Sequence, residues 1–347
     1  MLKDYKIGIG KDWAGWSERF SQALDEFISK GIPIRYDTIN LESADWLDHI
    51  APYDVIIWNP NYMGIKLASH LKEKIYFIQA VLHKQVFPNF DTVWHFESKV
   101  AQSYLFNHYK IQTPTTFVSF DYAQALSHLN STDLPVVLKK SEGAGSSNVQ
   151  LIKTRNKLKS TVESAFANQF WRDSRIKINK QQFIVQNFIK RRFWFWLSRK
   201  LFHQSMADGV IYWQEYIPDN PADLRITVIG DSTAYGYWRN NRPNDFRASG
   251  SGLLDYEREI PQKLISYCMK INSDLKFDSM CYDIIFTRDS FVITEMSYNY
   301  IADYLFNAPG YYEKNLNGDV VFINTHTWPE NLWVKWILSQ LGLLISP

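Results

Sequence analysis

Between Tyr212 and Gly252 the chain reads YWQEYIPDNPADLRITVIGDSTAYGYWRNNRPNDFRASGSG, and no other stretch limits the possible folds as much. An apolar-acidic run, Gln214, Glu215, Tyr216 and Ile217, is cut off by a Pro-Asp-Asn-Pro turn. Asp223-Leu224-Arg225 then leads a β-rich run to Ile229, which Gly230-Asp231 turns. A second strand, Ala234 to Trp238, ends in Arg239, and Arg247 precedes an Ala-Ser-Gly-Ser-Gly segment. The spacing predicts three arginines at strand ends or in Gly/Ser loops, where a scaffold presents binding groups. An arginine fork donates bidentately and stays charged, so the trio suits a polyanion, with a nucleotide triphosphate first among candidates. Ordinary surface pairing with Asp219, Asp223, Asp231 and Asp245 is the competing reading, because such pairs are common and weak.

A chain of 347 residues with 46% hydrophobic content can bury a sizeable core, and its length predicts two or three α/β subdomains. The net charge of +2 gives no footprint for nucleic acid or an acidic membrane. Cys268 and Cys281 form neither a CxxC pair nor a zinc spacing, which fits a reducing compartment. Met1-Leu2-Lys3-Asp4 leads into a strand rather than an apolar signal segment, and no apolar run approaches the roughly 18 residues of a membrane span. The expectation is a soluble, cytoplasmic protein. The sequon Asn130-Ser131-Thr132 is then a chance match.

In chain order, Tyr5–Ile9 reads as a strand and Trp16–Lys30 as a helix capped by Gly31. Ile34–Ile39, a helix near Ala44–Ile50, Asp54–Trp58, a further helix and a strand at Ile75–Phe77 continue the alternation, which predicts an open parallel sheet. Gly8, Gly10 and Gly15 do not make a dinucleotide fingerprint, because Trp13 stands where the third glycine belongs. Phe96–His108 reads as a helix with Lys99 near its start, broken at Ile111-Gln112-Thr113-Pro114. A strand at Val136–Leu138 delivers Lys139 to a small-residue loop containing Ser141, Gly143, Ala144, Gly145, Ser146 and Ser147. Amides of such a loop can close over phosphates. It lacks the Gly-Lys-Ser/Thr ending of a Walker loop, and the chain lacks the His-Arg-Asp and Asp-Phe-Gly elements of a protein kinase.

The long segment from Arg155 to Ile211 holds a second hinge-like strand, Gln182–Lys190, and an aromatic-basic run, Arg191–Trp196. That run suits an insertion helix packed in the core, or contact with a partner, a membrane surface or a lipid-linked substrate. Glu257–Lys270 reads as an amphipathic helix. Met280–Phe286 and Phe291–Glu295 then flank a turn at Thr287–Ser290, which sets Asp283 and Glu295 on adjacent hairpin strands. Two such carboxylates could share Mg²⁺ with substrate phosphates. The tail from Asn324, with Trp328, Trp333 and Trp336, reads as a closing helix whose aromatics suit packing or a homodimer contact.

The combination QEYI…DLRITVIG…YGYWR…DFRASGSG, after the Lys99 helix and the Lys139 loop, resembles the ATP-grasp superfamily, in its RimK-like and glutathione synthetase-like branch. The resemblance covers roughly Phe87 to the C-terminal region and implies an α/β fold. An N-terminal open parallel α/β (pre-ATP-grasp) domain, residues 1–92, would precede a two-subdomain ATP-grasp core, residues 93–211 and 212–347. It implies ATP and one or two Mg²⁺ ions as cofactors. Lys99 and Lys139 would hold phosphates beneath the 141–147 loop. Gln214 to Ile217 would meet adenine, with Glu215 or Asp223 near ribose. Arg225, Arg239 and Arg247 would face the acyl phosphate, with Ser249 nearby. Asp283 and Glu295 would hold metal. The usual Glu-x-Asn is here Glu295-Met296-Ser297, so that Ser297 is a weak ligand, Asn299 substitutes, or one metal site is modified.

The activity implied is amide formation between a small-molecule carboxylate and an amine through an acyl phosphate. The wording FPNF…WHFESKVAQ and DFRASGSG is similar to ATP-grasp proteins of bacterial surface-polysaccharide gene sets. That would make the acid a sugar (uronic) acid, carried on a nucleotide sugar or glycan. An amino-acid or peptide ligase, a catalytically silent nucleotide-binding scaffold, and a membrane-surface or glycan-binding module are the alternatives.

Overall fold

The computed structural model describes residues 4–12, 15–59, 65–140, 149–174 and 209–344. The chain packs as two compact units, one of residues 1–113 with 217–347 and one of residues 114–216.

The first unit begins with the expected parallel sheet. Its strands β1 (Tyr5–Gly10), β2 (Ile34–Ile39), β3 (Val55–Ile57) and β4 (Gln85–Phe87) run in the order β2-β1-β3-β4. The inner strands bury both faces along Ile7–Gly10 and Val55–Ile57, so these stretches read as apolar runs rather than as alternation. Gly10 has a packing role: a Cβ there would lie 2.2 Å from Cδ1 of Trp58. Helix α1 (Trp16–Ser29) starts where Asp12 accepts hydrogen bonds from the Trp16 and Ser17 amides, at 3.1 and 2.7 Å. Helix α2 (Trp46–Ile50) is shorter than the sequence suggests.

Ile75–Phe77 is helical, not a strand. Helix α3 (Ile65–Tyr76) runs through it into a π-helical turn, Phe77–Val81, and the fourth strand is Gln85–Phe87. Leu71, Ile75 and Ile78 are buried at helical spacing, and that longer period overrides the three-residue apolar run. Helix α4 (Phe90–Val93) and helix α5 (Lys99–His108) follow; the Ser98 hydroxyl caps α5 by accepting the Ala101 N–H at 3.2 Å.

The second unit carries an antiparallel sheet of β5 (Thr116–Ser119), β6 (Val136–Lys139), β7 (Val149–Ile152) and β8 (Ile211–Glu215), ordered β5-β8-β6-β7. Helices α6 (Tyr122–Ser131) and α7 (Arg155–Ser174) pack on it, and Leu129, Leu138, Leu158, Phe166 and Trp213 form its core.

The first unit resumes with a larger antiparallel sheet. Its strands are β9 (Ala222–Ile229), β10 (Thr233–Asn240), β11 (Leu254–Asp255), β12 (Ser279–Phe286), β13 (Phe291–Ser297), β14 (Tyr311–Lys314) and β15 (Val320–Ile323). The order is β13-β12-β9-β10-β14-β15, with β11 paired to β10. Helix α8 (Gln262–Asp274) begins five residues later than expected because Pro261 sets its N-terminus, leaving Glu257–Ile260 outside. Helices α9 (Ala302–Phe306) and α10 (Pro329–Gln340) complete the unit, and Trp333 is buried in its core as the closing-helix reading requires. Among the described residues no helix is long and apolar enough to cross a membrane.

Candidate functional site

Strands β9 and β10 are longer than the sequence suggested, and this changes where one of the arginines sits. Arg225 lies inside β9, in the sheet rather than at a strand end, while Arg239 is the next-to-last residue of β10, at the strand end where the sequence put it. Cross-strand register aligns Glu295, Asp283, Arg225 and Tyr237 in one row over four strands, and Asp223 with Arg239 in the row beside it. Residues two apart on a strand share a face, so period-two geometry gathers all six on one side of the sheet.

On that face Arg225 donates to both oxygens of Asp283, from Nε at 2.7 Å and from Nη2 at 2.9 Å. Arg239 donates to both oxygens of Asp223, at 2.7 and 2.6 Å, and its Nη2 also lies 2.8 Å from Asp283 Oδ2. Arg239, Asp283 and Asp223 are only 5, 7 and 8% exposed. These are not the weak surface pairs considered above. Two guanidiniums and two carboxylates neutralise one another out of water, an arrangement that needs good geometry to survive the desolvation penalty.

Burial opposes charge on Asp283, but Arg225 and Arg239 outweigh it and hold its carboxyl well below the usual carboxylate range. Asp223 moves the other way. Its burial, helped by the neighbouring Asp283 charge, exceeds the pull of Arg239 and raises its pKa. Burial also raises the Tyr237 phenol, against the attraction of Arg225.

At the β13 end of the first row, Lys99 at the first turn of α5 donates from Nζ to Glu295 Oε1 at 3.0 Å, and the lysine is buried. The two residues expected to hold phosphate and metal are therefore partners here. Ser297 accepts the Asn299 N–H at 3.2 Å and donates to the Asn299 carbonyl at 3.1 Å, so its hydroxyl closes a local turn. Arg247 forks onto Asp245 two residues upstream, and the Ser249 carbonyl accepts from Arg242 at 3.0 Å. Arg242 was not singled out from sequence.

The second unit holds the remaining described candidates. Lys139 ends β6, buried, just before the 141–147 loop; the loop candidates Ser141, Gly143, Ala144, Gly145, Ser146 and Ser147 lie outside the described residues. So do the Gln182–Lys190 strand and the Arg191–Trp196 run. The β8 ladder extends through Glu215, which pairs Val136 and also donates its N–H to Thr115 O. Gln214 is buried and donates from Nε2 to Thr116 Oγ1 at 3.1 Å, while Tyr216 and Ile217 lie beyond the strand.

Among the described residues no group of three or more His, Cys, Asp or Glu could cage a metal. Asp283 and Glu295, adjacent on one hairpin, nonetheless suit Mg²⁺, which takes one or two carboxylates together with substrate phosphates. The donor set fits an ion that arrives with a nucleotide and does not fit one bound alone. A separate cavity of about 640 Å³ opens at the far end of β9, lined by His83, Asn89, Asp231, Lys276, Asp278 and Trp336, and it holds none of the expected residues.

Comparison with known proteins agrees with this architecture. Residues 97–192 match the RimK-like ATP-grasp domain, and the mixed α/β fold is that of the ATP-grasp proteins. The proteins this chain resembles are named as ligases or as a synthetase. It is 23% identical over 299 residues to the alpha-aminoadipate–LysW ligase LysX of Saccharolobus solfataricus, covering 85% of this chain and 90% of the relative. Among solved structures it resembles the N5-carboxyaminoimidazole synthetase of Staphylococcus aureus, with a TM-score of 0.54 and 8% identity over 89% of this chain and 72% of that one. It also resembles the D-alanine–D-alanine ligase of Bacillus anthracis, with a TM-score of 0.50 and 13% identity over 85 and 86% of the two chains.

Proposed function

We propose that this chain uses MgATP to phosphorylate a carboxylate and joins the resulting acyl group to an amine as an amide. The observation that carries the reading is the buried face on which Arg225, Arg239, Asp223 and Asp283 meet, with Glu295, held by Lys99, on the strand next to Asp283 in the same row. Phosphoryl transfer asks a protein chiefly for positioning and charge neutralisation, and this face supplies fixed charges of both signs.

In this reading Asp283 and Glu295 hold Mg²⁺, which when bound neutralises phosphate oxygens. Ser297 is spent on its turn and contributes little as a ligand; Asn299 is the alternative third donor. Arg225 and Arg239 take the acyl phosphate, with Arg247 and Ser249 on the loop that follows. Lys99 and Lys139 take nucleotide phosphates under the 141–147 loop, and Gln214 to Ile217 take adenine, with Glu215 toward ribose. Asp223 serves by holding Arg239, a part its buried pairing supports better than ribose contact. The acid is a sugar (uronic) acid on the resemblance noted above, or an amino acid or peptide by analogy with the LysX and D-alanine–D-alanine ligases.

Hydroxylamine trapping tests this directly. Protein, MgATP and pooled carboxylates, including nucleotide-linked uronic acids, amino acids and short peptides, are incubated with hydroxylamine and read by mass spectrometry. An ATP-dependent hydroxamate is expected, and it identifies the acid. Arg225→Ala and Glu295→Ala should each abolish ADP formation with that acid in folded protein; undiminished turnover in either would overturn the site assignment.

A further inference from the structure

Strand β13 lies at the edge of its sheet, so its outward N–H and C=O groups need partners that no strand supplies. The Ile293 amide donates to the backbone carbonyl of Gln112 at 2.8 Å. At Met296, between the metal candidates Glu295 and Ser297, the partner is a side chain. Gln102 Nε2 donates to the Met296 carbonyl at 2.8 Å, and Gln102 Oε1 accepts the Met296 N–H at 3.2 Å. The carboxamide pairs with Met296 as one residue of a missing strand would, and Gln102 is only 2% exposed. Gln102 stands three residues after Lys99 on α5, so the two share one face of the helix. Lys99 holds the Glu295 side chain while Gln102 holds the backbone one residue on.

We propose that Gln102 is a positioning residue that fixes the Glu295–Ser297 edge in register for metal and nucleotide. The inference rests on the reading of Glu295 as a metal ligand. A carboxylate on a frayed edge strand would present its oxygens over a range of positions, and metal affinity falls when outer partners are lost, typically 10–100-fold. Gln102→Met keeps length and removes both hydrogen bonds. Gln102→Glu keeps the acceptor and removes the donor, and it serves as the comparison if the first variant does not fold.

The test follows the rise in melting temperature that ATP induces, titrating Mg²⁺ at one fixed ATP concentration. The Mg²⁺–ATP equilibrium in solution is common to all samples, so differences belong to the protein. The half-saturating Mg²⁺ concentration is expected to increase about 10-fold in the Gln102 variants. A lower melting temperature without ligand, but a half-saturating concentration within about twofold of wild type, would show that Gln102 only holds the fold and would overturn the proposal. Glu295→Gln is run alongside. If it leaves the Mg²⁺ dependence unchanged, the metal reading of Glu295 fails and the role of Gln102 falls with it. If Glu295→Gln shifts the dependence and the Gln102 variants do not, only the positioning role fails.

Discussion

His95 offers the sharpest quantitative test of the packing beneath the candidate site. It lies between α4 and α5, fully buried, with the Trp94 and Phe277 rings 5.6 and 5.1 Å from its own. Neither ring nitrogen has a hydrogen-bond partner among the described residues. Burial first, and the nearby Lys72 charge second, push its pKa down to about 3 from an ordinary 6.5. The folded protein thus keeps this imidazole neutral where the unfolded chain protonates it. A depressed histidine favours folding at high pH, and that advantage is lost as pH falls from 6.5 toward 3. At pH 7 the unfolded imidazole is about one quarter protonated, a penalty of ~0.2 kcal/mol; at pH 5 it is almost wholly protonated, a penalty of ~2 kcal/mol. His95 alone should therefore remove ~2 kcal/mol of stability between those two values.

The perturbation is His95→Leu, which cannot titrate. Urea unfolding followed by tryptophan fluorescence at pH 7 and pH 5 gives four stabilities. The quantity of interest is the double difference, because the loss of ring packing affects both pH values alike. The two compact units can unfold in separate transitions, so the comparison uses the transition that the substitution moves. Wild type should lose ~2 kcal/mol more than His95→Leu on going to pH 5. Equal losses, or a His95 ring signal that titrates near 6.5 by NMR, would refute the reasoning.

Arg239→Met should destabilise the protein by about 3–5 kcal/mol in chemical denaturation, because Asp223 is left as a buried carboxylate without its partner. Arg225→Met should destabilise it less, since Asp283 keeps Arg239. Gly10→Ala should lower the melting temperature, because the added methyl would meet the Trp58 ring at 2.2 Å. Cys268 and Cys281 are both buried, with thiols raised by burial and that of Cys281 pushed up to about 11; a disulfide reagent should find neither in native protein and both in urea. Mn²⁺ alone should give no tight binding by electron paramagnetic resonance, and ATP should bring it on, because Asp283 and Glu295 are each already paired with a cation of the protein.

How far the sequence led depends on the range over which each feature is encoded. The parallel sheet was legible because β1 and β3 are short, largely apolar runs each followed by a helix, a local signal. The strand expected at Ile75–Phe77 failed because a three-residue apolar run carries no period of its own. Arg225, Arg239, Asp283 and Glu295 could be picked out by residue type and order, and Lys99 by its place at a helix start. Their mutual pairing was not legible, because it depends on the register of four strands, with Arg225 and Asp283 58 residues apart, and on a helix whose Lys99 is 196 residues from Glu295. Gln102 was missed for a related reason: a glutamine in a helix looks like a solvated residue until the edge strand it satisfies is known. The β14–β15 hairpin was passed over: no element was read between Glu295 and Asn324, although Asn315-Leu316-Asn317-Gly318 is a turn signal between two short apolar runs.

The pairing has its own logic under the proposed function. Cations meant for phosphates, and carboxylates meant for a divalent ion, must be fixed before the ligand arrives, yet an unpaired charge as buried as Arg239 or Asp283 would destabilise the fold by several kcal/mol. Setting the two kinds against each other meets both demands with the same residues. Asp283 answers Arg225 and Arg239, Asp223 answers Arg239, and Glu295 answers Lys99. A nucleotide phosphate with its divalent cation presents the same two signs of charge that these side chains already offer one another. Binding it is then an exchange of partners rather than a burial of new charge. This account requires the cations and the carboxylates to fail together. Arg225→Ala and Asp283→Asn, which remove opposite charges, should weaken MgATP binding in the same direction, and opposite effects would count against it.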